Sequence, residues 1–327
     1  MRKTIALIIV LIFLLTIVSC EKSAEEKAQE LFNQAQLYQK AEEYDKAVEL
    51  YRDIMVLYPE FTKINQVETN KKECQVEYYF DKAKTDISFE RYESAMDNIQ
   101  ELLNIRPDHI EGNYALGFIY LRLSYDYLIS SQMMGLSYMD KSLLTAQSNA
   151  FQQLARERFK KCLTLNENHY AGHKGMAHIY ISEGKLDQAI EETNKAITYA
   201  PEGERKATCM ELMAQIYITT GNYEAAENTI KEIITKYPNR GETYLLYGNF
   251  YLAQNKIDEA IDTLKKGMEL NFEQEAYKGK MLATISYAYS LKKDYKNAIE
   301  YIKKAIDIDI MNNTYMDQYI QLYAMSK

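Results

Sequence analysis

The chain has few of the residues that interrupt secondary structure, with 12 glycines and 4 prolines in 327 positions. Sheet-rich folds need many turn residues, so this shortage favours helices joined by short loops. Cysteine is scarce too. Beyond Cys20 there are only Cys74, Cys162 and Cys209, odd in number and widely spaced, with no C-x-x-C pair and no disulfide framework. Free, mostly buried thiols are expected. No basic block offsets the acids, and 39 Lys and Arg stand against 47 Asp and Glu. Setting aside the first nineteen residues removes Arg2 and Lys3 and leaves a net charge of about −10, which repels nucleic acid and anionic headgroups. No nucleic-acid partner is expected. The signatures G-x-S-x-G and H-E-x-x-H, the phosphate-binding P-loop and G-x-G-x-x-G are all missing. Neither an enzyme nor a cofactor is expected. Hydrophobic residues at 47% beside 26% charged exclude a disordered chain.

The first twenty residues read as a targeting segment. Arg2 and Lys3 precede an apolar run from Thr4 to Val18, too short to span a bilayer comfortably. The run ends in Ile17-Val18-Ser19-Cys20, which resembles the bacterial lipobox. That resemblance implies removal of residues 1–19 and lipidation of Cys20, with the chain held on the extracytoplasmic side of a bacterial membrane, facing the periplasm or the cell surface. Ser23 and Glu26 match a capping box, so the first helix should start near Ala24. About three residues then separate the lipid from the fold, a reach of roughly 10 Å.

Internal repetition is the most informative property of the remainder. An aromatic or aliphatic residue stands three positions before an alanine at Tyr44/Ala47, Tyr92/Ala95, Leu186/Ala189, Tyr223/Ala226, Ile257/Ala260 and Tyr295/Ala298. Twelve residues upstream of each alanine is a small residue: Ala35, Ala83, Ala177, Ala214, Gly248 and Ser286. Tyrosine follows three residues later at Tyr38, Tyr180, Tyr217, Tyr251 and Tyr289, and proline twelve residues after the alanine at Pro59, Pro107, Pro201 and Pro238. This pattern is similar to the tetratricopeptide repeat (TPR), a helical hairpin of about 34 residues.

The resemblance covers residues 28–310 and implies an all-α, right-handed superhelical solenoid of about seven TPR hairpins plus a capping helix within 311–327. Small residues let paired helices approach closely, proline ends the second helix, and stacked neighbours supply the core that no hairpin has alone. The 29 tyrosines are then mostly packing residues. Residues 20–27 form the anchor and a short linker. Two spacings exceed the repeat. Extra residues near 61–75 point to an extended helix, and others near 125–150 fall between the two helices of the third repeat. That second insertion should project as a helical extension. It carries Met133, Met134, Leu136 and Tyr138 around Gly135, and flexible methionines suit adaptable contact surfaces.

In proteins of this kind the first helix of each repeat lines an inner groove. One groove position gives Gln36, Lys84, Phe118, His178, Gln215, Asn249 and Tyr287 in successive repeats. His178, Gln215, Asn249 and Tyr287 should therefore form one line able to hydrogen-bond a partner. The lysine, asparagine and arginine set that clamps a carboxylate terminus is only fragmentary, because Lys174 is followed by His178 and Leu212 takes the next clamp position. His169 and His173 have i,i+4 spacing but no cysteine or carboxylate companion, so no metal is expected. The acidic pairs Glu25-Glu26 and Glu191-Glu192 read as solvated helix faces. The functional expectation is a lipid-anchored, non-enzymatic scaffold for other envelope proteins, working through the groove or the repeat-three insertion. The alternative is a small-ligand-binding accessory subunit of an envelope transport system.

Overall fold

The computed structural model describes residues 22–133, 135–270 and 275–327. The lipobox, Cys20 and Met134 lie outside the described residues. Among the described residues there are fifteen helices and no strand. They pair in chain order as α1 (Ala24–Lys40) with α2 (Tyr44–Leu57), α3 (Ile64–Ser88) with α4 (Tyr92–Ile105), α5 (Ile110–Ser131) with α6 (Tyr138–Leu165) and α7 (Tyr170–Ser182) with α8 (Leu186–Tyr199). Next come α9 (Glu204–Thr219) with α10 (Tyr223–Lys236), α11 (Gly241–Ala253) with α12 (Ile257–Met268) and α13 (Glu275–Leu291) with α14 (Tyr295–Ile308). Helix α15 (Asn313–Met325) follows the seven hairpins, as the sequence pattern predicts for a capping helix.

The small-residue rule explains the hairpins. Ala35 and Ala47, Ala83 and Ala95, Ala177 and Ala189, and Ala214 and Ala226 are fully buried. Where the first partner is not alanine, the contact is different but equally tight. A Cβ added to Gly248 would stand 2.6 Å from Leu264. Ser286 is buried and donates its hydroxyl to the Ala298 carbonyl at 2.7 Å. The turn between the helices needs one residue with positive φ. Gly184 (71°) and Gly221 (72°) supply it without strain. Glu42, Glu90, Asn255 and Lys293 hold the same conformation in their hairpins with φ of 56–60°.

Two compact units divide the chain, one ending at Ile119 and one beginning at Tyr120. In the first, Phe32, Tyr51, Ile54, Phe61, Val67 and Cys74 share one core. The extra residues near 61–75 build a 25-residue α3 whose first turns pack on hairpin one. There Asn70 donates to the Tyr51 hydroxyl (3.2 Å), which donates to Gln39 (2.9 Å). The Ser23/Glu26 capping box is formed, and α1 starts at Ala24.

In the second unit, hairpins packed one on the next carry the core forward through Phe159, Ile179, Ile216, Phe250 and Ile285. The extra residues near 125–150 lengthen both helices of the third hairpin, to 22 residues in α5 and 28 in α6. Ser124 and Ser148 meet at 3.2 Å in their shared interior, and Tyr127 stacks on Phe151 at 5.5 Å. Beyond them the chain reverses near Gly135 (φ 88°), with Ile129, Met133, Tyr138, Met139 and Leu143 all exposed, Tyr138 to 90%. At the other end α15 seats Tyr315 and Leu322 against Leu282, Ile302 and Ala305.

Candidate functional site

The four groove residues fall on α7, α9, α11 and α13, the first helices of four successive hairpins of the second unit. Two clefts contain them. The first, of about 310 Å³, is lined by Lys174 and His178 from α7, Glu211 and Gln215 from α9, Asn249 from α11 and Tyr277 from α13. The second, of about 480 Å³, begins at the same Asn249 and passes Tyr287 and Thr284 to reach Gln318 and Met325 of α15. Asn249 lines both, so the two clefts adjoin in a trough along this face.

What distinguishes the row is its lack of internal partners. Most polar side chains on these helices are tied down, but those of His178, Gln215, Asn249 and Tyr287 make no hydrogen bond to another described residue. Gln215 and Asn249 are exposed, Tyr287 is half exposed and His178 is largely buried. Burial, reinforced by the Lys174 ammonium, pushes the His178 imidazole down to about 4. It is therefore a neutral donor and acceptor at physiological pH.

Beneath the first cleft lies an ion cluster that sequence reasoning missed. Arg240 is 4% exposed, and its Nε and Nη2 donate to the two oxygens of Glu211 at 3.1 Å each. It also contacts Glu204 and stands 3.9 Å from Glu242. Burial alone would lower its basicity, but Glu211, Glu204 and Glu242 together raise it. The Glu211 carboxylate accepts from Thr243 as well, at 2.5 Å. With Glu211 neutralised, the cleft presents Lys174, amides, an imidazole and a phenol beside the Glu242 carboxylate and Leu212, Leu245 and Leu246. The partners lie 29 and 36 residues from Arg240, one repeat earlier. An arginine following Pro238-Asn239 reads as an ordinary turn charge in sequence.

The sequence shows no cysteine or carboxylate companion for His169 and His173, and the fold supplies both, Cys162 and Glu192. His169 and His173 are both buried. His169 caps α7, its Nδ1 accepting from the Gly172 amide at 3.0 Å. His173 has Nδ1 2.6 Å from Glu192 and Nε2 2.7 Å from the Glu167 carbonyl, and it stacks on Tyr199. Glu192 is consequently not a solvated face residue, since it holds His173 and Lys195 and its side chain is only 15% exposed. Among the described residues no group of three or more potential metal ligands occurs. Cys74, Cys162 and Cys209 are buried thiols, none of them in a disulfide.

The insertion residues sit apart from the trough. Met133 and Tyr138 are exposed at the tip, while Leu136 is partly covered.

Sequence and structure comparisons agree with this architecture. Family models described as tetratricopeptide repeat match residues 30–63, 175–202, 217–283 and 279–309. The chain carries tetratricopeptide repeats. A TPR repeat-containing protein of Methanocaldococcus jannaschii is 23% identical over 81% of this chain, which spans about two fifths (41%) of that relative's length. A tetratricopeptide repeat protein from Parabacteroides merdae superposes with a TM-score of 0.57 at 12% identity, over 90% of this chain and 98% of its own. PilW, described as a widely conserved type IV pilus biogenesis factor, gives 0.54 at 12% identity over 76% of this chain and 98% of its own. These structural likenesses speak to the TPR fold.

Proposed function

We propose that this TPR protein is a non-enzymatic scaffold that holds segments of other proteins in the trough of its second unit. The observation that carries the reading is the row His178, Gln215, Asn249 and Tyr287, whose polar groups are presented on one face without internal partners. Solvent-facing polar groups that no neighbour engages, held in line on a rigid framework, are suited to bonds with a ligand. A row of amides, imidazole and phenol reads hydrogen-bond geometry and demands no particular charge. Each bond contributes only about 0.5–1.5 kcal/mol, so affinity arises from several together.

In this reading the scaffold is lipid-anchored through Cys20 on the extracytoplasmic side of a bacterial membrane, facing the periplasm or the cell surface, and its partners are envelope proteins. Support for the anchor comes from the lipobox-like Ile17-Val18-Ser19-Cys20. No helix among the described residues is long and apolar enough to cross a membrane. Fold likeness to PilW is compatible with an envelope role and does not choose a pathway. The small-ligand alternative would use the same clefts, whose 310–480 Å³ lies within the range of ligand pockets. Their open form and mixed polar and apolar lining, drawn from α7, α9, α11, α13 and α15, favour a peptide segment.

Membrane attachment is tested by Cys20→Ala. That substitution should shift the protein from the membrane to the soluble fraction, while intact-mass measurement of the native protein shows a lipid on Cys20. An unmodified Cys20 contradicts the anchor.

A further inference from the structure

We propose that His109 and His169 are twin acid-sensitive caps, which hold the first turns of α5 and α7 at neutral pH and release them under acid. The two stand at corresponding places, each opening the first helix of a hairpin and each followed three residues later by glycine. The Gly112 amide donates to His109 Nδ1 at 2.9 Å, and the Gly172 amide to His169 Nδ1 at 3.0 Å. An imidazole nitrogen accepts such a bond only when it carries no proton. Protonation would therefore turn each cap into two opposed donors, leaving a helix amide unsatisfied.

The packing around each ring allows little escape. A Cβ on Gly112 would stand 2.9 Å from Leu102, and one on Gly172 would stand 3.1 Å from Leu163, so both helix starts are pressed on the preceding helix. His109 faces the Phe80 ring and Glu77 of α3, Arg106 at the end of α4, and Asp108 and Glu111 beside it. Burial holds its imidazole below the usual value, Glu77 opposes this and Arg106 reinforces it. His169 is 8% exposed, with the Cys162 thiol of α6 3.0 Å from the same Nδ1. Around it stand Glu167 in its own turn, His173 with its Glu192 partner, and Tyr170 under Arg205. Protonated Nδ1 would face the Gly172 amide, a donor it cannot pair with, and would have only the weakly accepting sulfur of Cys162 in reach.

At the other described helix starts no histidine stands at the cap. Ser23 caps α1, Gly203 precedes α9, Asn312 caps α15, and Arg240 before α11 is pinned by carboxylates. Burial holds His109 below its unfolded value, so its cap contributes stability that is complete above about 6.5 and is lost as pH falls below it. Because α7 also carries Lys174 and His178, acid would loosen one end of the trough.

The test compares thermal unfolding of the full chain at pH 7.5 and 5.5 with that of the double variant His109→Asn, His169→Asn. Asparagine caps a helix as well and does not titrate. The native chain should lose about 2–4 °C more than the variant across that interval. Equal losses in a folded variant would overturn the proposal. Nitrogen NMR of the four histidines decides independently, should the variant fail to fold. At pH 7.5 the Nδ1 of His109 and His169 should be unprotonated, and finding protonated Nδ1 there would overturn the assignment.

Discussion

At the middle of each hairpin turn a single residue carries positive φ, and its identity varies among the copies. Side chains with a Cβ cost roughly 1–2 kcal/mol there, so Glu90→Gly should leave the melting temperature unchanged or raised. Gly184→Val should lower it, as scanning calorimetry would show. Glycine has a different duty at Gly175 and Gly248, where an added Cβ would stand 2.6 Å from Phe159 and Leu264 respectively. Gly175→Ala should cost about 1–3 kcal/mol by overpacking, read from denaturant unfolding. Arg240 is a third case. Arg240→Ala would leave the largely covered Glu211 without its counter-charge, a change that costs up to about 3–5 kcal/mol where the pair is fully buried, and urea unfolding should show a clear loss of stability. The small residues of the repeat were legible from their spacing alone. Arg240 and the capping histidines were not, because their partners are either a full repeat away or backbone amides, neither of which leaves a mark on side-chain periodicity.

Helix lengths show where spacing was informative and where it was not. The 48-residue step from Ala47 to Ala95 implied an extended helix, and α3 has 25 residues, with Val67 and Cys74 buried on the first hairpin. Burial pushes the Cys74 thiol up to about 11. Together with the burial of Cys162 and Cys209, this means a thiol reagent at pH 8 should label none of the three in the native state and all in urea. In the third hairpin the extra residues went into both helices, held together by Ser124–Ser148 and the Tyr127–Phe151 stack. The packed part ends below the tip. Replacing residues 128–140 with a short glycine linker should therefore leave helicity and melting nearly intact. A collapse of the circular-dichroism signal would show that the tip supports the fold.

At the scale of the second unit, tetratricopeptide hairpins present a trough of mixed polar and apolar lining, and under the proposed scaffold reading its selectivity rests on hydrogen-bond geometry more than on charge. The groove register was readable because the repeat places corresponding residues on corresponding helices. That its members would lack internal partners, and that His178 would be held neutral, depended on neighbours one hairpin away and became visible only in the folded chain. Since His178 lies near 4, its contribution to partner binding should be constant between pH 6 and 8. The most direct test of the scaffold reading is site-specific photo-crosslinking in intact cells, with the photoreactive group placed at Gln215 in one strain and at Met139 of the tip in another. The account predicts a discrete protein adduct from position 215 that Asn249→Ala diminishes several-fold without altering the melting temperature. Adducts from position 139 alone, with none from 215, would contradict it and transfer the working surface to the end of the third hairpin.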